Sequence, residues 1–171
     1  MTLTGDNPGR RRSPTAAELR AWRSFIETSE LVRTMVASRL QAESDLSTGD
    51  YSVLLALREA AENRMRSSAL ADHIGWERSR LSHHLGRMER RGLVTREAAS
   101  GDSRGAEVIL NETGAQAFRA ASSPHMHAIH DLYVSALSPI QLAAVEEAMG
   151  SLRMHLASEK HTREIGTSLP E

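Results

Sequence analysis

The feature that most constrains this fold is a pair of short helical patterns joined at a glycine. The first pattern runs from Ser67 to Ile74 and ends at Gly75. The second runs from about Glu77 to Arg91, is ended by Gly92, and has one apolar face formed by Leu81, Leu85 and Met88. Because these three residues are four and three positions apart, they lie on the same side of a helix. Two short helices joined by a tight turn that contains glycine make a helix-turn-helix.

The residues that follow change from a helical to a strand pattern. Leu93–Glu97 and Ala106–Leu110 read as short strands, and the eight residues between them include Gly101 and Gly105. This pattern predicts a β-hairpin with a long loop. A hairpin directly after a helix-turn-helix is a wing. The sequence therefore predicts a mainly α chain with a small β-hairpin, built around a winged helix-turn-helix core.

Further helices are predicted on both sides of the recognition motif. Thr15 and Glu18 have the spacing of a capping box at the start of a long first helix. Ser47 and Asp50 have the same spacing before the second helix. After the hairpin, Asn111 is placed to cap a helix that extends to about residue 136.

The last predicted helix begins with Ser138, Pro139 and Gln141, which combine an N-cap, a proline at the first helical position and a capping-box glutamine. Its apolar residues alternate three and four positions apart, and they are Leu142, Val145, Met149, Leu152 and Leu156. This spacing is typical of a coiled-coil seam. Since the helix is long and terminal, we interpret the seam as a subunit interface. The alternative is an apolar stripe that packs within one protomer.

These patterns divide the chain into four parts. Residues 1–14 form a disordered N-terminal arm, and residues 161–171 form a flexible tail. Residues 47–110 form the winged helix-turn-helix DNA-binding domain. The long helices, residues 15–46 and 111–160, form a dimerisation region.

The composition indicates a globular protein without disulfides. Apolar residues make up 40% of the chain and charged residues 25%, and no window approaches the roughly 18 consecutive apolar residues of a membrane-spanning helix. The arginines at positions 10–12 are not followed by an apolar run, so they do not begin an export signal. We therefore expect a cytoplasmic protein. The absence of cysteine excludes disulfides, thiolate metal ligands and thiol-based switches.

An enzyme is disfavoured by the motifs. Ser82 and His83 offer a nucleophile and a base, but neighbouring residues on a helix point about 100° apart and cannot pair. The sequence contains no Gly-rich phosphate loop, no H-E-x-x-H motif and no nucleophile elbow.

The charge distribution favours a nucleic-acid partner, although the net charge is only −1. The segment from Arg64 to Arg104 holds nine arginines and five acidic residues, a local charge of +4. The rest of the chain holds twelve basic and seventeen acidic residues, a charge of −5. A basic middle between acidic flanks is typical of a local DNA-binding module on a neutral scaffold.

The second short helix carries the candidate DNA-reading residues. When its apolar face is turned inward, the opposite face and its shoulders bear short polar and basic side chains. Those near the helix start are predicted to reach base edges in the major groove, and they are Ser79, Arg80, Ser82 and His83. Arg87 and Arg90 lie farther along the helix, where contact with phosphates is expected.

Three more residues complete the predicted interface. Arg104 lies on the wing loop, where it can enter the adjacent minor groove. Asp102, on the same loop, is predicted to stabilise the wing by bonding loop amides or a nearby arginine. Ser67 is predicted to cap the first short helix, whose N-terminus is then available to a phosphate.

The run from Ser79 to Val94 closely resembles the multiple-antibiotic-resistance regulator (MarR) family. The loop Gly101–Gly105 matches the Asp-x-Arg pattern of that family's wing, and Asn111–Gly114 resembles its turn into the fifth helix. The matching order of elements covers about residues 15–160.

This resemblance implies a homodimer whose terminal helices interlock and whose two winged modules bind a pseudo-palindromic operator in double-stranded DNA. It implies that Arg104 enters the minor groove, that Asp102 supports the wing, and that Ser79 and His83 face bases. His83 replaces an arginine that is common in the family. The family commonly represses adjacent genes and releases DNA when a small, often aromatic or anionic, ligand binds.

Two alternatives keep this fold but change its function. His127 and His130 are three positions apart and can face one ion, so a zinc-responsive regulator is one alternative. His125 lies on the apolar stripe of the same helix, which favours a packed interface histidine, and we assign no metal or other cofactor in the main interpretation. The second alternative is a winged-helix interaction module that does not bind DNA.

Overall fold

The computed structural model describes residues 13–98 and 106–166. Its helices are α1 (Ala16–Ser44), α2 (Thr48–Glu59), α3 (Ser67–His73), α4 (Arg78–Arg90), α5 (Glu112–Leu132) and α6 (Pro139–Gly166). Its strands are β1 (Arg64–Arg66), β2 (Val94–Ala98) and β3 (Ala106–Leu110), and short 3-10 turns occupy Ala61–Asn63 and Val134–Ala136. The predicted fold class is confirmed, because the chain is mainly helical with a small antiparallel sheet beside a helix-turn-helix.

The sheet contains one strand more than predicted. Its order is β1-β3-β2, with both pairings antiparallel. The predicted hairpin is β2 and β3, and β1 adds to its edge by pairing Met65 with Val108. β1 is only three residues long, so its Arg-Met-Arg alternation is too short to identify a strand.

Helix starts follow the predicted capping chemistry at three places. Thr15 and Glu18 form both hydrogen bonds of a capping box before α1. Ser47 and Asp50 do the same before α2. At α6, the Gln141 amide donates to Ser138 Oγ at 3.3 Å, and the Ser138 amide donates to Gln141 Oε1 at 2.9 Å.

One predicted cap is wrong, and a second has the predicted position without the capping bond. Ser67 is the first residue of α3, and the preceding Arg66 occupies the cap position without a side-chain capping bond. Asn111 does occupy the cap position of α5, but its side chain makes no capping bond. Instead its Nδ2 donates to the Gly92 carbonyl at 3.2 Å, and its Oδ1 accepts from Thr95 Oγ1 at 2.8 Å. Asn111 therefore ties the end of the recognition motif to the start of α5.

The helix ends also differ in part from the prediction. Gly75 and Gly92 end the two short helices as expected, with φ of 67° and 70°, values that glycine adopts readily. α5 ends at Leu132, before the predicted residue 136, because a 3-10 turn takes over. α6 continues to Gly166, so the helix extends into the tail predicted for residues 161–171. The predicted arm of residues 1–14 lies almost entirely outside the described residues.

The core lies between α2, α4 and the sheet. Its fully buried side chains come from these elements and from α3, and they include Leu54, Leu57, Leu70, Leu81, Leu85, Met88, Val94 and Val108. α5 packs on the same core through Ala121 and Phe118. In the part of the chain that the structure describes, no helix is both long and apolar enough to cross a membrane.

Candidate nucleic-acid interface

The second helix of the motif, α4, is anchored as the sequence predicts. Leu81, Leu85 and Met88 are 0–1% exposed and face the core. The opposite face and its shoulders are open to solvent, and the exposed side chains there are Ser79, Arg80, Ser82, His83, Arg87 and Arg90. The predicted candidates of this helix therefore share one exposed surface.

Arg80 is held by an aromatic ring that the sequence reasoning missed. Its Cζ lies 4.2 Å from the ring centroid of Trp76, a cation–π contact. Trp76 is half-buried in the turn between α3 and α4. The sequence feature that indicates this contact is the position of Trp76, directly after Gly75 and four residues before Arg80.

Arg87 is held by a buried histidine that was also missed. Arg87 Nη2 donates to His84 Nδ1 at 2.8 Å. Because a guanidinium can only donate, His84 must accept at Nδ1 and is neutral in this arrangement. The Nε2 atom of His84 lies 2.9 Å from Asp50 Oδ1, a close polar contact between the ring and the carboxylate.

Asp50 connects the start of α2 to α4. Its carboxylate accepts from Arg91 Nη1 at 2.9 Å and from the amide of Ser47 at 3.0 Å. Burial alone would raise the pKa of Asp50, but the contacts with His84, Ser47 and Arg91 outweigh burial and hold it well below its usual range. Asp50 is therefore ionised, and it is 4% exposed.

Several of the arginines counted in the basic segment bond within the protein. Arg91 Nη2 donates to the Asp45 carbonyl at 2.6 Å, in addition to its contact with Asp50. Arg96 donates to Glu89 Oε2 through Nε at 2.9 Å and through Nη2 at 2.6 Å, which lowers the pKa of Glu89. Arg91 and Arg96 stabilise the fold, so the charge count of this segment overstates its positive DNA-facing surface.

The wing is described only at its strands. Arg104 and Asp102, the two predicted wing residues, lie outside the described residues. The strand that precedes them, β2, is separated from the end of α4 by three residues. Ser67 is half-buried at the first position of α3, and its contact with a phosphate stays a prediction.

The histidines of α5 do not assemble into a metal site. His125 stacks on Tyr51 with ring centroids 4.3 Å apart, as a packed histidine does, and burial lowers its pKa. His127 is exposed, and His130 Nδ1 lies 3.3 Å from Asp131 Oδ1. Within residues 13–98 and 106–166, no group of three histidine or acidic side chains is placed to hold a metal ion. The zinc alternative therefore has no described ligand set.

Two cavities lie on either side of the first turn of α2. One, of about 980 Å³, is lined by α1, by α2 including Tyr51, and by His125. The other, of about 470 Å³, is lined by Trp76, Arg80, His84 and neighbouring residues. Ser47 and Thr48 line both cavities.

The comparisons with known proteins agree with this geometry. The MarR family model matches residues 44–105, from the last residue of α1 to the residue before β3. AbsC, a MarR family transcriptional regulator from Streptomyces coelicolor, is 32% identical over 86% of this chain and 99% of its own, with a TM-score of 0.79. The chain belongs to the MarR family. It is thus a transcription regulator with a DNA-binding winged-helix fold, and its relatives are regulators rather than enzymes.

Two structures similar to this MarR-family chain were solved with DNA. Sco3205, a MarR family transcriptional regulator from Streptomyces coelicolor solved in complex with DNA, is 32% identical over 85% of this chain and 92% of its own, with a TM-score of 0.80. A mutant MarR from E. coli complexed with operator DNA shares the fold at 20% identity, over 82% of this chain and 99% of its own, with a TM-score of 0.71. No curated protein matches this sequence.

Proposed function

We propose that this protein binds a pseudo-palindromic operator as a homodimer in the cytoplasm and represses transcription until a small molecule releases it from DNA. The observation that carries the proposal is the exposed face of α4, which presents polar and basic side chains while Leu81, Leu85 and Met88 anchor the helix. An anchored, exposed helix of this kind enters the major groove in helix-turn-helix proteins.

Within this proposal the side chains divide by role. The residues at the start of α4 read base edges, and they are Ser79, Arg80, Ser82 and His83. Arg87 and Arg90 contact phosphates, which adds affinity without sequence preference. Arg104 enters the minor groove from the wing, and Asp102 supports that loop.

The homodimer is supported by apolar surface that one protomer leaves open. Among residues 139–159 of α6 no side chain is buried, and Leu152 and Leu156 of the seam are 39% and 58% exposed. On α1, Trp22 and Ile26 are 61% and 41% exposed. Exposed apolar faces on two long helices are typical of a subunit interface, and a second copy of this chain buries both.

The ligand response is supported by the larger cavity beside α2. Tyr51 and His125 line it, and His125 Nδ1 is buried without a hydrogen-bond partner among the described residues. An aromatic ligand in this cavity contacts the rings of Tyr51 and His125. A related fold at 17% identity, the organohalide-sensing RdhR-CbdbA1625 regulator, was solved in a 2,4-dichlorophenol-bound form.

The test is selection of bound sequences from a random double-stranded DNA library by the purified protein. We expect an enriched motif with two inverted half-sites about one helical turn apart. Arg104→Ala is expected to weaken binding to that motif strongly while the dimer stays folded. Arg119→Ala, an exposed arginine of α5 away from the proposed interface, is the matched control and should bind as the wild type does. Selection of no motif by folded dimer contradicts the proposal.

A further inference from the structure

Trp76 and His84 lie behind the exposed face of α4 and contact two of its arginines. The Trp76 ring lies under Arg80, and His84 accepts a hydrogen bond from Arg87. The two rings also contact each other edge to face, with centroids 5.1 Å apart. Arg80, Trp76, His84 and Arg87 therefore form one continuous chain of contacts.

The two rings are themselves fixed by the first turn of α2. A Cβ at Gly49 would lie 2.8 Å from Trp76 Cη2 and 2.9 Å from His84 Cε1, so only glycine lets the rings approach this closely. The neighbouring Asp50 lies 2.9 Å from His84 Nε2. The rings thus have a rigid support on the side away from solvent.

We propose that Trp76 and His84 are positioning residues that hold Arg80 and Arg87 in the conformations that bind DNA, and that they set affinity and base preference without contacting DNA. This inference rests on the proposed DNA-binding function. A guanidinium stacked on an aromatic face keeps its N–H edge free for bidentate bonds to a base. An arginine that is already ordered loses less conformational entropy when it binds.

The test for Trp76 is a double-mutant cycle with Arg80, measured as operator affinity. Trp76→Leu is expected to weaken binding about tenfold, because Arg80 must then lose its conformational freedom when it binds. In the Arg80→Ala background, Trp76→Leu should change affinity less than about twofold, since its partner is gone. Trp76→Phe should fall between wild type and Trp76→Leu. Equal losses in both backgrounds show a role in folding alone and overturn the proposal.

The test for His84 compares two substitutions. His84→Asn keeps an oxygen acceptor where Nδ1 stands, so affinity should remain near that of the wild type. His84→Leu removes the acceptor, so affinity should fall alike for all operator variants, as expected for a phosphate contact, and should not fall further in the Arg87→Ala background. Thermal unfolding of each variant checks that it is folded. If folded His84→Asn and His84→Leu lose the same affinity, the positioning role of His84 is overturned.

A measurement without DNA tests the contact itself. The chain has two tryptophans, so in a Trp22→Phe background all tryptophan fluorescence comes from Trp76. Arg80→Ala should increase quenching by acrylamide, whereas Arg78→Ala, an exposed arginine of the same helix, should not. If neither variant changes the quenching, the positioning role of Trp76 is overturned.

The outcomes separate this inference from the proposed function. Wild-type protein that selects no DNA overturns both. Normal selection of DNA, with substitutions that act independently in the double-mutant cycles, overturns this inference alone.

Discussion

His83 differs from the exposed arginines of α4 because neutral imidazole offers one donor and one acceptor at a base edge, whereas a guanidinium only donates. It is exposed and lines the same cavity as Arg80. We expect His83→Ala to remove discrimination at one base position of each half-site, by about 1–3 kcal/mol. Competition binding with single-base operator variants measures this. Arg90→Ala should instead weaken all variants alike. An unchanged base profile for His83→Ala means that another side of α4 faces the bases.

Asp50 makes a second prediction at the scale of one residue, this time for stability. Asp50→Asn replaces the charged acceptor of the partly solvated Arg91 with a neutral amide, so we expect the free energy of unfolding at pH 7 to fall by about 1–2 kcal/mol. Denaturant unfolding measures it, and the exposed Asp72→Asn is the control.

The same carboxylate gives the sign of a pH dependence. Because the folded-state pKa of Asp50 is lowered from 3.8, its contribution is complete above that value and is lost as the pH falls through the folded-state pKa. The difference between Asp50→Asn and wild type should therefore be constant from pH 7 to 5 and shrink only below about pH 4. A difference that already shrinks between pH 7 and 5 contradicts the assignment.

At the scale of elements, the tight contact is between α2 and α4. Gly49→Ala places a methyl group against the Trp76 and His84 rings, so we expect destabilisation by about 1–3 kcal/mol. Gly86→Ala is the matched control on α4, where nothing described lies within 4 Å of an added Cβ. It should stabilise the helix by about 0.5–1 kcal/mol. Thermal unfolding of the two variants should shift in opposite directions, and shifts of the same sign contradict the contact.

The elements that could be predicted from sequence are those whose signals are local. Capping boxes at Thr15 and Ser47, glycines at helix ends and the apolar face of α4 are each read within about ten residues. β1 was missed because its three residues are too few to show the alternation of a strand. The Gly49 and Asp50 contacts with α4 were missed because they join residues more than thirty positions apart. Nothing in the local sequence shows that Arg91, rather than the neighbouring Arg90, bonds Asp50.

At the scale of the whole molecule, α6 is the element that one protomer leaves uncovered. Leu152→Glu places a charge in the seam, so we expect a shift from dimer to monomer and loss of operator binding. Met154, 74% exposed on the opposite side of the same helix, gives the matched control Met154→Glu, which should remain dimeric. Light scattering after size-exclusion chromatography measures the mass. A dimeric Leu152→Glu variant contradicts this interface.

The first turn of α2 is a shared wall, since Ser47 and Thr48 line both the cavity that holds His125 and the one that holds Arg80. A ligand that displaces this turn from the His125 cavity also changes the packing behind Arg80 and Arg87 in the other cavity. Thermodynamic linkage then makes the coupling the same in both directions. The factor by which such a ligand lowers affinity for an operator equals the factor by which that operator lowers affinity for the ligand.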